Sequence, residues 1–263
     1  MTMQRIVLQP AYILHHRAYR NTSSILELFT PEHGRVGVVA KGVRGNKPRW
    51  PGLLQTFQPL LVSYNLRGEL GLLTTAEATG AALTVRPGLI ASGFYLNEIL
   101  LRLLQRQDAQ LELFGSYDMA LRDLSALNAE EGERIALESV LRRFEMRMLA
   151  ALGYGLVLDN DVQTQAPVQA QQHYIYYLEQ GPVQIDSEVD ETVAEVGDAQ
   201  RGVPVSGQTL LALQADDLSA DITRREAKRL IRAVLGQYLG SKPLASRQLM
   251  QQSAQLAQRV REQ

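Results

Sequence analysis

The chain has 263 residues, 45% of them apolar, and its 27 Lys and Arg stand against 28 Asp and Glu for a formal net charge of -1. That length and apolar content suffice for more than one buried core, while the absence of cysteine excludes disulfides, thiolate nucleophiles and cysteine-based zinc sites. Residues 1–10 lack the apolar core of an export signal, and no stretch approaches the roughly 18 apolar residues of a spanning helix, so the expected location is a reducing cytosol, outside the membrane.

The first eighty residues read as strands, with β-rich runs at Arg5 to Leu14, Ser24 to Thr30, Arg35 to Ala40, Leu60 to Tyr64 and Glu69 to Ala78. Pro31-Glu32-His33-Gly34 predicts a hairpin between the second and third runs, and Asn65-Leu66-Arg67-Gly68 predicts another. Five short strands match a small closed barrel of the oligonucleotide-binding type, and an SH3-like barrel fits the same pattern.

Beyond Pro87 the apolar period becomes helical. Leu96, Ile99, Leu100, Leu103 and Leu104 form one stripe, a second amphipathic run spans Leu111 to Leu127, and Leu137, Leu141, Phe144, Met148 and Leu152 line a third helix that Gly153 ends. Asp159 to Arg201 reads as acidic and irregular, with one strand candidate at His173 to Leu178. Helices return at Ser206 to Leu213 and at Thr223 to Leu239, with Asp221 as the predicted N-cap of the latter, and a last helix is expected from Ala245 to Arg261. The fold class is therefore α+β and multidomain: a small N-terminal β-barrel of oligonucleotide-binding type at 1–80, then a mostly helical domain at 81–263 with an irregular acidic segment near 156–205.

Charge is distributed unevenly. Residues 1–80 hold nine Lys/Arg and four Asp/Glu, 150–222 hold one and twelve, and 223–263 hold nine and two. The stretch RVGVVAKGVRGNKPRW, residues 35–50, carries Arg35, Lys41, Arg44, Lys47 and Arg49 with no acid, broken by Gly37, Gly42 and Gly45, which let backbone approach a partner. Such a loop suits a polyanion. The candidate DNA contacts are Arg35, Lys41, Arg44, Lys47, Arg49 and Arg67, helped by Arg17 and Arg20. Trp50, Phe57 and Tyr64 are stacking candidates, with barrel core the competing assignment for the last two.

VAKGVRG at 39–45, LRRFEMRMLAALGYG at 141–155 and REAKRLIRAVLGQYLGSKPLASRQL at 225–249 resemble the bacterial RecO family of recombination mediators, in matching order and spacing over nearly the full length. The resemblance implies an oligonucleotide-binding barrel, a helical C-terminal domain, binding of single- and double-stranded DNA and annealing of complementary strands. It also implies partnership with RecR, help in loading RecA, and binding of the acidic C-terminal tail of single-strand-binding protein. Many members carry a four-cysteine zinc cluster after the Gly-Tyr-Gly turn, here Gly153-Tyr154-Gly155. This chain has no cysteine, and its four histidines are scattered, so no structural zinc is expected.

For the acidic tail the candidates are Arg142, Arg143 and Phe144 on one helix and Arg225, Lys228 and Arg229 on another, since cations beside apolar surface suit an acidic peptide with an aromatic end. An ordinary surface pair between Glu138 and Arg142 is the competing assignment, and the stripe from Arg225 to Arg232 equally fits DNA. No catalytic residue is expected. Gly42 to Lys47 has neither the spacing nor the following hydroxyl of a phosphate-binding loop, G-x-S-x-G and H-E-x-x-H are absent, and Asp159-Asn160-Asp161 and Asp216-Asp217 lie in polar surroundings unlike a metal loop. No cofactor is expected. The alternative to a DNA-annealing mediator is a protein-interaction adaptor that acts through its helical domain.

Overall fold

The computed structural model describes residues 3–44, 47–128, 132–185 and 202–250. Gly45, residues 186–201 and the part of the expected last helix beyond 250 lie outside the described residues. The chain divides into two compact units, residues 1–127 with 242–263, and residues 128–241.

The first unit is built on β1 (Gln4–Tyr19), β2 (Ser23–Thr30), β3 (Gly34–Ala40), β4 (Leu60–Arg67) and β5 (Leu70–Ala78). They close in the order β1-β2-β3-β5-β4, so this unit is an oligonucleotide-binding barrel. β1 serves two neighbours: its first half pairs with β4, from Gln4 opposite Leu66 to Ala11 opposite Leu60, and its second half with β2, from Tyr12 opposite Phe29 to Tyr19 opposite Ser23. Register shifts between Ile6 and Gln9 and between Ile13 and His15 bend the strand between them, as bulges do. The parallel pairing of β3 with β5, Gly37 opposite Leu70 through Val39 opposite Leu72, shuts the barrel. Both predicted hairpins form, with Thr30 opposite Gly34 and Arg67 opposite Leu70.

Inside the barrel lie Ile13, Leu26, Leu28, Val36, Val38, Leu60, Val62, Tyr64 and Leu73. The outer face of β1 and β2 is covered as well, which is why β2 is buried at seven of its eight positions instead of alternating. Its cover comes from α1 (Ile90–Leu103) and α2 (Leu111–Ala126): Tyr12 and Phe29 pack edge-on against Tyr117, and the Asn97 amide donates to the Leu14 carbonyl at 2.9 Å. Phe57, assigned between stacking and barrel core, does neither; its ring lies against Gly93 and Phe94 of α1. Residues 245–250 are helical, and Glu98 of α1 caps their start by accepting from the Ala245 and Ser246 amides at 3.1 and 2.9 Å.

The second unit holds α3 (Glu133–Ala151), β6 (His173–Tyr177), β7 (Gly181–Ile185), β8 (Val203–Ser206), α4 (Gly207–Gln214) and α5 (Asp221–Leu239). The segment expected to be irregular contains an antiparallel sheet of order β7-β6-β8. Only β6 was legible, because its partners carry the strand-disfavouring residues Gly181 and Pro182 in β7 and Pro204 in β8. α5 starts with Asp221 as its first residue and Ala220, not Asp221, at the N-cap; the Asp221 carboxylate instead takes Arg224 at 3.3 Å and Arg225 at 3.2 Å.

After the Gly153 turn the residues present do not fit a four-cysteine cluster, and a carboxylate organises the loop there. Asp161 is buried and accepts from the amides of Gln163, Thr164 and Gln184 at 2.8, 2.6 and 2.6 Å, tying the loop to β7. Burial by itself raises its pKa, but these amides outweigh it and hold the carboxyl below its ordinary range. A lowered folded-state value means the carboxylate contributes stability above about pH 4, the unfolded carboxyl range, and loses it as pH falls through the lower folded value.

Two outcomes follow. Gly34 has φ +54, and a Cβ there would lie 1.7 Å from the Asp108 carbonyl oxygen, so Gly34→Ala should cost at least about 2 kcal/mol of stability by thermal or urea melting. Asp161→Ala should cost about 2 kcal/mol at neutral pH, since it strands three amides. The deficit should shrink as the wild type is acidified below about pH 4; an equal deficit at every pH would refute the assignment.

Candidate nucleic-acid interface

Residues 41–59 connect β3 to β4, and of these the described residues 41–44 and 47–59 include four that pack on the barrel core. The loop is held by its own apolar residues, for Val43, Trp50, Leu53 and Leu54 pack against the barrel core. Two backbone bonds fix its course: the Arg44 amide donates to the Thr22 carbonyl at 3.0 Å, docking the loop on the β1–β2 turn, and the Arg49 amide donates to the Gly42 carbonyl at 2.8 Å. Gly42 has φ +70, the left-handed backbone this reversal needs.

With apolar residues turned in, the cations are left outside. Lys41, Arg44, Lys47 and Arg49 are exposed, as are Arg17 and Arg20 on the neighbouring strand and turn. The Arg44 guanidinium donates to the carbonyls of Ser23 and Arg20, and Arg49 donates to the Thr74 carbonyl at 2.8 Å with its guanidinium 4.5 Å from the Trp50 ring centroid. Carbonyls and an aromatic face orient a guanidinium without neutralising it, and each still has spare N–H donors. Among the described residues none of these six cations is in an ion pair. Trp50 is half-buried, one part of it on the core and one face under Arg49.

Arg35 has a different fate. Its Nε lies 3.0 Å from Glu27, and its Nη1 donates to the Leu101 carbonyl; Arg106 reaches the other Glu27 oxygen at 2.6 Å. Desolvation raises the Glu27 pKa, but the two guanidiniums outweigh it and hold the carboxyl below its ordinary range. Arg35 is thus a structural cation, which corrects the expectation that its charge is free for DNA. The signal was a single acid in the otherwise uncharged run SSILELFT. Gly37, expected to admit a partner's backbone, faces the Arg106 guanidinium instead. Arg67 is exposed at the last position of β4, opposite Leu70, while Arg49 bonds to Thr74 four residues further along β5, about 13 Å along the strand at roughly 3.3 Å per residue. Tyr64 is barrel core.

The second set of candidates is largely satisfied internally. Arg142 is 6% exposed and pairs at 2.5 Å with Glu145, itself fully buried, so it is neither a free cation nor the partner of Glu138. Glu138 instead takes Lys228 at 3.0 Å, joining α3 to α5. Phe144 is 1% exposed and belongs to the core. Phe144 is buried because it stands on the apolar stripe of α3, and Arg142 because α3 is buried over a band wider than that stripe, so the ion pair with Glu145 is enclosed with it. Arg143 pairs with Asp216 at 2.9 Å, Arg225 with Asp221, and Arg229 donates to the Pro204 carbonyl at 2.7 Å. Arg224, which no sequence pattern singled out, is buried and donates to the Leu218 and Ser219 carbonyls at the start of α5. Among the described residues no three His, Cys, Asp or Glu are grouped to hold a metal, and no helix is long and apolar enough to cross a membrane.

Comparison with known proteins shows the family. Residues 3–82 match the family described as recombination protein O N terminal, and residues 87–248 match recombination protein O C terminal. The break between them falls near residue 80, where the apolar period changes, although α1 and α2 pack with the barrel. DNA repair protein RecO of Nitrosococcus oceani is 45% identical over 252 residues, 96% of each chain. That of Alkalilimnicola ehrlichii is 44% identical over 254 residues, 97% of this chain and 94% of its own, and that of Methylococcus capsulatus is 42% identical over 250 residues, 95% of each. On matches spanning both of its halves, the chain belongs to the recombination protein O family of DNA repair proteins.

Proposed function

We propose that this protein is a non-enzymatic recombination mediator that grips DNA with the loop end of its barrel. One observation carries the reading: Lys41, Arg44, Lys47 and Arg49 stand exposed and unneutralised on a loop anchored to the barrel core, with Arg17 and Arg20 beside them. Cations so placed release counterions from phosphates whatever the base sequence, so single and double strands both bind without strong sequence preference. A surface that lowers repulsion between two backbones is sufficient for annealing complementary strands, with no bond made or broken. RecR partnership and help in loading RecA onto DNA coated by single-strand-binding protein, in the cytoplasm at the nucleoid, complete the proposal through family membership.

For the acidic tail of single-strand-binding protein the proposed contacts narrow to Arg143, Arg225 and Lys228. Their partners are surface carboxylates, and exposed pairs of this kind contribute about 0–1 kcal/mol, little enough for a peptide carboxylate to displace.

Reversing Lys41, Arg44 and Lys47 to Glu should weaken duplex binding at least about 100-fold at moderate salt. The slope of log affinity against log salt should drop by about 3, near 0.9 per lost phosphate contact. Trp50 is the single tryptophan, so its fluorescence, excited selectively, reads the wild-type titration directly. A slope unchanged in the triple variant would refute the loop as the DNA site. In the second unit, Arg143→Ala should weaken a fluorescent tail peptide severalfold with no change in melting temperature. Arg142→Ala should instead destabilise the fold by about 3–5 kcal/mol, by stranding buried Glu145.

A further inference from the structure

Within the second unit a cavity of about 300 Å³ opens between the turn after α3, the β6–β7 turn and the end of α5. Its walls include three tyrosines, Tyr154, Tyr176 and Tyr238, together with Leu156, Val157 and Val234; among the described residues its one charged lining residue is Glu179. We propose that this cavity receives the ammonium or guanidinium head of a lysine or arginine presented by a basic segment of a partner protein.

The chemistry of the walls selects a cation. Tyr154 and Tyr238 stack with centroids 3.9 Å apart and planes 22° from parallel, which presents an electron-rich surface, and Tyr154 remains 41% exposed. Faces of this kind attract Lys and Arg. The Tyr238 hydroxyl donates to Glu179 Oε1 at 3.3 Å, holding the carboxylate at the cavity. Tyr176 keeps its proton at neutral pH, since burial pushes its pKa up to about 12, and its hydroxyl oxygen is occupied by the Val157 amide at 3.0 Å. The aliphatic wall of Leu156, Val157 and Val234 matches the methylene stem behind a charged head.

Two further observations favour this occupant. Glu179 adopts φ +65 in the β6–β7 turn, a conformation that Gly, Asn or Asp takes at lower cost, so the carboxylate is kept at a position where the backbone alone would not choose it. At the cavity itself the carboxylate of Glu179 is the charge that the described lining residues supply, so the local field repels phosphate and attracts a basic segment. Among the described residues no Lys or Arg lines the cavity, so neither DNA nor an acidic tail finds a counter-charge there, and none of its lining residues belongs to the barrel loop.

The test uses full-length protein carrying 3-fluorotyrosine, with the Tyr154 and Tyr238 signals assigned by Phe substitution. It is titrated with acetyl-Gly-Lys-Gly-amide, the arginine counterpart and a norleucine analogue that keeps the stem without the charge. The Lys and Arg peptides should shift both signals saturably and the norleucine peptide should not. Glu179→Gln and Tyr154→Leu should each weaken the apparent affinity about twofold to thirtyfold. Unmoved signals, equal response to norleucine, or full affinity in Glu179→Gln would overturn the proposal, the last by showing diffuse attraction to an acidic surface. Should Tyr154→Leu fail to melt cooperatively, the exposed Glu179→Gln decides alone. DNA affinity measured on the same samples should not change, which keeps this result distinct from the barrel reading.

Discussion

Closure of the barrel through β1 is the constraint on which the first unit depends. A single 16-residue strand pairs with β4 along one half and β2 along the other, and the parallel β3–β5 contact completes the circle. That order leaves β3 and β4 joined across an open end by residues 41–59. The end must be plugged, since the interior is apolar, and the loop supplies Val43, Trp50, Leu53 and Leu54. Because those side chains turn inward, the Lys and Arg between them are held outward. The cationic surface is thus a by-product of plugging the barrel, and a flexible tether with the same charges would pay more entropy on binding.

Arginines of one short stretch serve opposite purposes. Arg35 meets Glu27 and a backbone carbonyl, so its charge is used to bind α1 to the barrel. Arg44 and Arg49 meet only neutral acceptors and an aromatic ring, so their charge remains for a partner. What separates them is the position of one carboxylate. Two other acids of the first eighty residues lie elsewhere, Glu32 accepting from Gln9 at 2.8 Å near the β2–β3 turn and Glu69 following the β4 end, while Glu77 stands opposite Leu61 on β5 and is in no ion pair with a loop cation among the described residues.

The second unit reaches stability by other means. Asp161 gathers three amides in the loop that follows the Gly153 turn. Glu226 performs a similar task at the β8–α4 junction, accepting from the Ser206 amide and hydroxyl at 2.9 and 2.7 Å. Each is a charge-assisted contact to local backbone, effective because the carboxylate is shielded from water. The aromatic cavity is bounded by the same sheet and by α5, so the small sheet serves both as scaffold and as one wall of a site.

Much of the fold was legible in the residues. The five strands begin and end within a few positions of the β-rich runs, and the helices follow the apolar stripes, because both depend on local period and turn chemistry. The candidate site was legible as an acid-free stretch of cations, and Lys41, Arg44, Lys47 and Arg49 kept the exposure expected of them. What the sequence could not determine was pairing between distant segments. Arg35 with Glu27 and Arg106, Lys228 with Glu138, and the burial of Arg142 with Glu145 depend on which faces meet after folding. A cation's type and neighbours are written in the chain, but whether its charge is cancelled depends on a carboxylate brought within about 4 Å from elsewhere, and only the tertiary structure decides that.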